Sequence, residues 1–361
     1  MFFEDLPVKQ TLYCILYGLS GTICLIAAVY LLLRRGNAFA ADVTPPLRLR
    51  RWAASFFIAV TLSHVWWYLF YVSSFKIFSP AHVLTAIIDC ATLLTTTAGT
   101  LLAMLQDRRR PVWPVLAAMI PFAVLGAAVM ASHSDRFIHI GVAYILAIFV
   151  LFTIYMLFAA RQYGRWLRDN YADLERKEVW LSQLLSFTVM LLLIIYGLGD
   201  GNLAISYAML IIEIIFFALL LWRVETLPQL SLPALAEQAT TVAPATDLSG
   251  VEQLLAEHCV ATQLYLQHDL TLLQLAKALH TNRTYLSQYF SNRGTTYNAY
   301  INDLRINHFV SHYREAAAKG QPVTAQQLSS DSGYRSYSTF SLAFKQRMGQ
   351  SVAAWMRKQT E

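Results

Sequence analysis

Residues 270–293, LTLLQLAKALHTNRTYLSQYFSNR, read as two short helices joined by a tight turn. In the first, Leu272, Leu275, Ala276 and Leu279 recur at helical spacing and form one apolar face. The turn is His280-Thr281-Asn282, and Asn282 suits the cap of the next helix because its side-chain oxygen accepts an orphan backbone N–H. The second helix starts at Arg283 and turns Leu286 and Phe290 inward, which leaves Arg283, Thr284, Ser287 and Gln288 outward. A short helix with Arg, Gln and hydroxyls on its outer face fits a major groove, where those groups pair with base edges and phosphates. A plain helical hairpin with a polar surface has the same pattern, so the neighbouring sequence must decide.

On the C-terminal side, Gly294 closes the second helix and a long helix follows from Tyr297 to Lys319. Its buried positions are Tyr300, Ile301, Leu304, Ile306, Phe309 and Val310. After Pro322 the helix–turn–helix pattern returns in residues 324–347, TAQQLSSDSGYRSYSTFSLAFKQR. Leu328 lies inward, Gly333-Tyr334 turns the chain and Ser336 caps a helix with Phe340 and Phe344 inward. Tyr337, Ser338, Ser341 and Leu342 face outward. A long helix between two such units can place two reading helices about one DNA turn apart, ~34 Å. On the N-terminal side, an amphipathic helix is expected over 250–267, with Val251, Leu254, Leu255, Leu264 and Leu266 on its buried side.

Further toward the N-terminus the text changes character. Of the 361 residues 56% are apolar and only 14% charged, where a soluble chain carries nearer a quarter. The average hides two unlike halves. Up to about residue 223 the chain is a series of seven apolar runs, near 11–33, 52–72, 81–105, 112–131, 138–160, 181–199 and 203–222. Each approaches the ~20 residues of a membrane-spanning helix. Alternate loops are rich in arginine: Arg34, Arg35, Arg48, Arg50 and Arg51; Arg108, Arg109 and Arg110; then Arg161, Arg165, Arg168, Arg176 and Lys177. The opposite loops hold Lys9, Lys76 and Arg136, with none in the Asp200-Gly201-Asn202 turn. The positive-inside rule therefore puts the N-terminus outside and the C-terminus in the cytoplasm, as seven crossings require. Ala38-Phe39-Ala40 resembles a signal cleavage site, but Glu4 and Asp5 precede the first run and Arg34-Arg35 follows it, the reverse of a signal peptide.

Residues 224–249 are rich in Pro, Ala and Thr and read as a tether reaching ~90 Å if fully extended, at about 3.3–3.6 Å per residue. The segment from 250 onward holds 11 Lys/Arg against 7 Asp/Glu, a mildly basic balance compatible with nucleic acid. Cys14, Cys24, Cys90 and Cys259 make no C-x-x-C pair and read as small apolar residues, with neither disulfide framework nor metal site. Within the spans His64, Asp89 and Glu213 are costly in lipid. They are either candidates for sensing a ligand or members of a buried hydrogen-bonded network.

The ordered series LTLLQLAKALHTNRTYLSQYF, YNAYINDLRI and GYRSYSTFSLAFKQRMGQS resembles the AraC/XylS-type DNA-binding domain over about residues 270–356. The resemblance implies a bipartite, sequence-specific transcription factor bound to double-stranded DNA. Base reading falls to Arg283, Thr284, Ser287 and Gln288 in the first unit, and to Tyr337, Ser338, Ser341 and Leu342 in the second. Lys345, Arg347, Arg293 and Arg305 are candidate phosphate contacts, although the Arg305 position often packs structurally in that family. Two departures stand out. The family's closing T-P-x-x-Y/F-R is here Ser351-Val352-Ala353-Ala354-Trp355-Met356-Arg357, and Leu342 stands where a polar or basic residue is common. With Leu342 outward, the second unit either anchors phosphates or contacts thymine methyls. Seven-span chains ending in such a domain resemble bacterial membrane-bound regulators.

The sequence thus describes an all-α protein, a seven-helix transmembrane bundle (1–223) followed by a linker (224–249) and a cytoplasmic double helix-turn-helix domain (250–361). The expected function is membrane-bound transcription regulation, in the inner membrane, with an unknown small-molecule or membrane signal. DNA, the bilayer, a second copy of the chain and RNA polymerase are the expected partners. No catalytic motif, cofactor motif or internal repeat is found. The alternative is a transporter or receptor whose C-terminal domain binds a protein.

Overall fold

A computed structural model describes residues 8–73, 79–132, 134–197, 202–230 and 249–360. It is all-helical, and its chain divides into two units. The first comprises Met1–Arg161 with Val179–Ser231, and the second Gln162–Glu178 with Leu232–Glu361.

Among the described residues seven apolar helices build the first unit: α1 (Val8–Leu33), α2 (Leu47–Ser73), α3 (Pro80–Met104), α4 (Trp113–Ser132), α5 (Asp135–Asn170, whose last residues from Gln162 belong to the second unit), α6 (Trp180–Gly197) and α7 (Leu203–Thr226). Six are long and apolar enough to cross a membrane, whereas α6 is apolar over the shorter stretch Trp180–Leu192. Their outer surfaces suit lipid rather than water: Leu151 and Phe158 of α5 are 66% and 65% exposed. Ser79 caps α3, accepting the His82 N–H, and Pro80 supplies the first helical residue, where its missing N–H costs nothing. Gly99 lets α2 approach α3, since a Cβ there would lie 2.2 Å from the Trp52 ring.

One end of this unit is tied by polar groups. Arg34 pairs with the fully buried Glu225 at 3.1 Å, and the Asn37 amide donates to the Glu225 carbonyl at 2.8 Å. Arg50 donates to the Leu31 carbonyl at 2.6 Å and Arg48 to the Arg110 carbonyl at 2.7 Å. Arg50 thereby satisfies a carbonyl in the last turn of α1 that the helix itself leaves unpaired. The same network shortens the expected linker. Val224, Glu225 and Leu227 are fully buried, and Gln106 bonds both the Pro228 carbonyl (2.9 Å) and the Leu230 N–H (2.8 Å). Residues 224–230 thus belong to the first unit, because burying their apolar side chains and pairing their backbone outweighs the disorder that Pro228 suggests. The rest of the linker, 231–248, lies outside the described residues.

The second unit holds α8 (Ser249–Leu255), α9 (Leu272–Ala278), α10 (Arg283–Asn292), α11 (Tyr297–Ala318), α12 (Ala325–Asp331), α13 (Tyr337–Met348) and α14 (Val352–Thr360). The single amphipathic helix expected over 250–267 is not formed. After α8 the chain loosens into a π turn (Ala256–Val260), breaks at the left-handed Gln263 (φ 54°) and tightens into a 3₁₀ turn (Leu264–Leu266). The break frees the Tyr265 and Gln267 carbonyls, which a continued helix would engage in its own ladder, to accept bonds from Arg305.

Two apolar cores are joined by α11. Leu255, Cys259, Leu275, Leu286, Phe290, Tyr297 and Ile301 fill the first; Ile306, Phe309, Leu328, Phe340, Phe344 and Trp355 fill the second. The family's closing proline is absent without loss of closure. Ser351 accepts the Ala354 N–H at 3.3 Å, and Trp355 packs edge-on against Tyr313 and Phe344, with centroids 5.3 and 5.6 Å away.

Candidate nucleic-acid interface

The N-terminus of each reading helix is built by the same local chemistry. Thr271 and Gln274 form a reciprocal capping box on α9, and left-handed His280 (φ 53°) turns the chain into Asn282, which accepts the Tyr285 N–H at 2.7 Å. In the second unit Gly333 (φ 86°) makes the turn and Ser336 accepts the Thr339 N–H at 3.3 Å. Gly333 meets two demands at once, since a Cβ there would sit 2.7 Å from the Leu266 carbonyl oxygen. α11, 22 residues and ~33 Å long at 1.5 Å per residue, carries both units.

Burial divides each reading helix as its apolar spacing requires. On α10, Leu286, Tyr289 and Phe290 are buried, Thr284 and Gln288 exposed, and Arg283 and Ser287 half-buried. On α13, Phe340 and Phe344 are fully buried, while Tyr337, Ser338 and Leu342 are exposed and Ser341 is half-buried. Leu342 is 61% exposed, an apolar side chain amid hydroxyls. Lys345 and Arg347 follow on the exposed side, Arg347 donating to Asp303 at 2.7 Å. Arg293 is exposed, pairs with Glu252 and lies over the Tyr289 ring at 4.9 Å.

Residues 275–358 match the model of a helix-turn-helix domain family. They form an AraC-type helix-turn-helix domain. A domain of this type implies a DNA-binding transcription regulator and supports DNA as a partner. Neither a curated protein nor a solved structure matches it.

The AraC-type domain revises the role expected of one candidate. Arg305 is 1% exposed and out of reach of a phosphate. Its Nε donates to the Tyr265 carbonyl at 2.7 Å, its Nη2 to the Gln267 carbonyl at 2.8 Å, and its guanidinium lies 5.4 Å from the Tyr334 ring centroid. Burial pulls its pKa down, opposed by the nearby Tyr334 and Tyr297 hydroxyls and Asp173 and Asp269 carboxyls. A planar fork between two carbonyls and a ring face is a structural clamp, and only arginine has that shape.

The sequence treated residues 162–178 only as a basic loop, whereas the structure packs them onto the AraC-type domain. Ala172 is buried in the first apolar core, and its N–H donates to the Leu270 carbonyl at 3.1 Å. Tyr171 bridges antiparallel to Thr271, and the Asn298 amide donates to the Tyr171 and Ala172 carbonyls at 3.2 and 2.7 Å. Lys177 and Arg335 pair with Asp269 at 3.1 and 2.8 Å. Burial alone would raise the Asp269 carboxyl, but Lys177, Arg335 and His268 outweigh it and hold it below the usual carboxylate range. Two contacts reach the reading helices: Arg283 Nε donates to Asn170 Oδ1 at 2.7 Å, and Thr339 Oγ1 to Glu175 Oε2 at 3.1 Å. Asn170 and Glu175 carried no signal in the sequence, because their partners lie more than a hundred residues away.

In the first unit the three intramembrane candidates separate. Asp89 is buried and accepts from Ser63 Oγ at 3.0 Å and Trp67 Nε1 at 2.9 Å, the hydrogen-bonded arrangement expected of a packing network. The His64 ring lies tilted against Tyr17 with centroids 4.5 Å apart, and its Nδ1 lies 2.9 Å from the Val60 carbonyl. Its Nε2 is buried without a hydrogen-bond partner. His64 and Glu213 line one cavity of about 230 Å³, together with Ser63, Thr97, Phe149 and Phe216.

Proposed function

We propose that the chain is a one-component regulator anchored in the inner membrane, whose first unit senses a signal and whose second reads DNA in adjacent major grooves. The observation that carries this reading is the pair of capped, polar-faced helices α10 and α13, each packed through its own apolar core onto the one helix α11. Base reading is assigned to Arg283, Thr284, Ser287 and Gln288 on α10 and to Tyr337, Ser338, Ser341 and Leu342 on α13. Lys345, Arg347 and Arg293 supply phosphate contacts. Leu342 suits the methyl edge of thymine. The arginine-rich loops orient the bundle with the C-terminal domain in the cytoplasm. His64 and Glu213 on their shared cavity are the sensing candidates, with Asp89 shaping the neighbouring helices. A second copy in the bilayer raises the local concentration at paired operators, and RNA polymerase is the expected recipient of the output.

The test is paired substitution in the full chain held in lipid nanodiscs. Arg283→Ala should relax sequence preference at one base position, at a cost of ~1–3 kcal/mol. Lys345→Ala should weaken all duplexes alike and lower the salt slope by about one. Wild-type behaviour in both variants rejects the contact assignment. The exposure of Leu342 favours one second reading, a protein-binding surface on α13. On that reading Leu342→Lys abolishes partner capture and leaves duplex affinity unchanged.

A further inference from the structure

The segment Gln162–Glu178 does more than join two spans. It touches the first turn of both reading helices, the end that a helix-turn-helix presents to base edges. Arg283 is the first residue of α10, and its Nε is spent on Asn170. Thr339 is in the first turn of α13, and its hydroxyl is spent on the Glu175 carboxylate. Between these two points the segment is fastened by backbone pairing at Tyr171 and Ala172, by Asn298 and by the Lys177–Asp269–Arg335 cluster. A chance surface contact would not bury Ala172 in the core or leave Lys177 only 7% exposed.

We propose that Gln162–Glu178 occupies the DNA-reading face of the AraC-type domain and competes with the duplex for it. The inference rests on the assignment of α10 and α13 as reading helices. Charge supports competition over cooperation at the points of contact: a duplex approaching Thr339 meets the Glu175 carboxylate, which repels phosphate. Geometry supports it as well. The Asn170 bond holds the Arg283 side chain against the segment, so a guanine contact made through Nε requires that bond to break. The covalent position of the segment makes it a switch. It continues α5 and leads into α6, so a rearrangement of those spans pulls directly on the element that holds the first turns of α10 and α13. DNA and the segment then draw on a single equilibrium, and whatever signal disfavours the docked segment raises DNA affinity by the same factor.

The test uses the full chain in nanodiscs with a random-sequence duplex pool as the probe. Asn170→Ala/Glu175→Ala should raise retained duplex by about tenfold or more, the worth of releasing one charge-assisted hydrogen bond. Arg283→Ala added to that pair should cancel much of the gain in retained duplex. A second variant, Glu175→Cys/Thr339→Cys, is joined by a short bis-maleimide. Joining should abolish duplex binding, with either single cysteine variant as control. Equal binding by wild type and the Asn170/Glu175 variant, or undiminished binding by the joined protein, overturns the competition while leaving the reading helices intact. Weaker binding by the Asn170/Glu175 variant makes the segment part of the DNA surface and overturns it too. If no variant retains duplex, the assignment of α10 and α13 fails and the competition falls with it.

Discussion

Arg305→Ala separates a clamp from a phosphate contact. The substitution removes two hydrogen bonds from a charged donor, each worth ~1.5–3 kcal/mol, and leaves the Tyr265 and Gln267 carbonyls facing a cavity. Non-additivity argues for the low end of the sum, so a loss of about 3–5 kcal/mol is expected. That is a large share of a domain's total stability, ~5–15 kcal/mol. Hydrogen exchange followed by mass spectrometry on the full chain reads it out. Protection of residues 265–310 should fall by roughly two to more than three powers of ten, at about 1.4 kcal/mol per tenfold. Arg305→Lys should rescue only part, since an ammonium keeps the charge but cannot span both carbonyls in one plane. Unchanged protection in Arg305→Ala, together with a flatter salt dependence of duplex binding, would refute the clamp and restore the phosphate role.

Gly333→Ala should cost at least ~2–3 kcal/mol, because it adds left-handed strain (φ 86°) to a clash at 2.7 Å, and a thermal melt should show it as a large drop in midpoint. Arg34→Ala should destabilise the first unit by ~3–5 kcal/mol by stranding the buried Glu225 carboxylate, whereas Arg34→Ala/Glu225→Gln should recover much of the loss; detergent-melt midpoints check both. The depressed Asp269 carboxyl gives a pH test with a fixed sign. Its stabilisation is fully present above the unfolded value of ~3.9 and is lost as pH falls through the folded value, so exchange at residues 171–178 should accelerate below about pH 4. Asp269→Asn should abolish that pH dependence.

The parts of the fold that were legible are those decided within a turn or two of chain. Asn282 and Ser336 cap the helices whose starts they mark, and Leu272, Leu275, Leu286, Phe290, Phe340 and Phe344 are buried as their spacing requires. The outward set on α10 and α13 follows from the same periodicity. What the sequence hid depends on distant partners. The helix expected over 250–267 breaks at left-handed Gln263, and Arg305, some forty residues on, takes the Tyr265 and Gln267 carbonyls beyond the break. Residues 224–230 look like tether, yet Gln106 and Asn37 hold them. The text of 162–178 reads only as basic, whereas Ala172, Asn170 and Glu175 dock through contacts no local pattern encodes. Arg305 itself shows the limit of residue type, because exposure alone separates a phosphate contact from a buried clamp.

The central claim is that a membrane-anchored chain reads specific DNA through α10. The most direct measurement is capture of fragmented genomic DNA by the full chain in native membrane vesicles, sequenced beside an Arg283→Ala control at two salt concentrations. The account predicts enrichment of a few discrete promoters that survives the higher salt and is lost or redistributed in the control. Diffuse enrichment that vanishes with salt, or the same promoters in both samples, would contradict it.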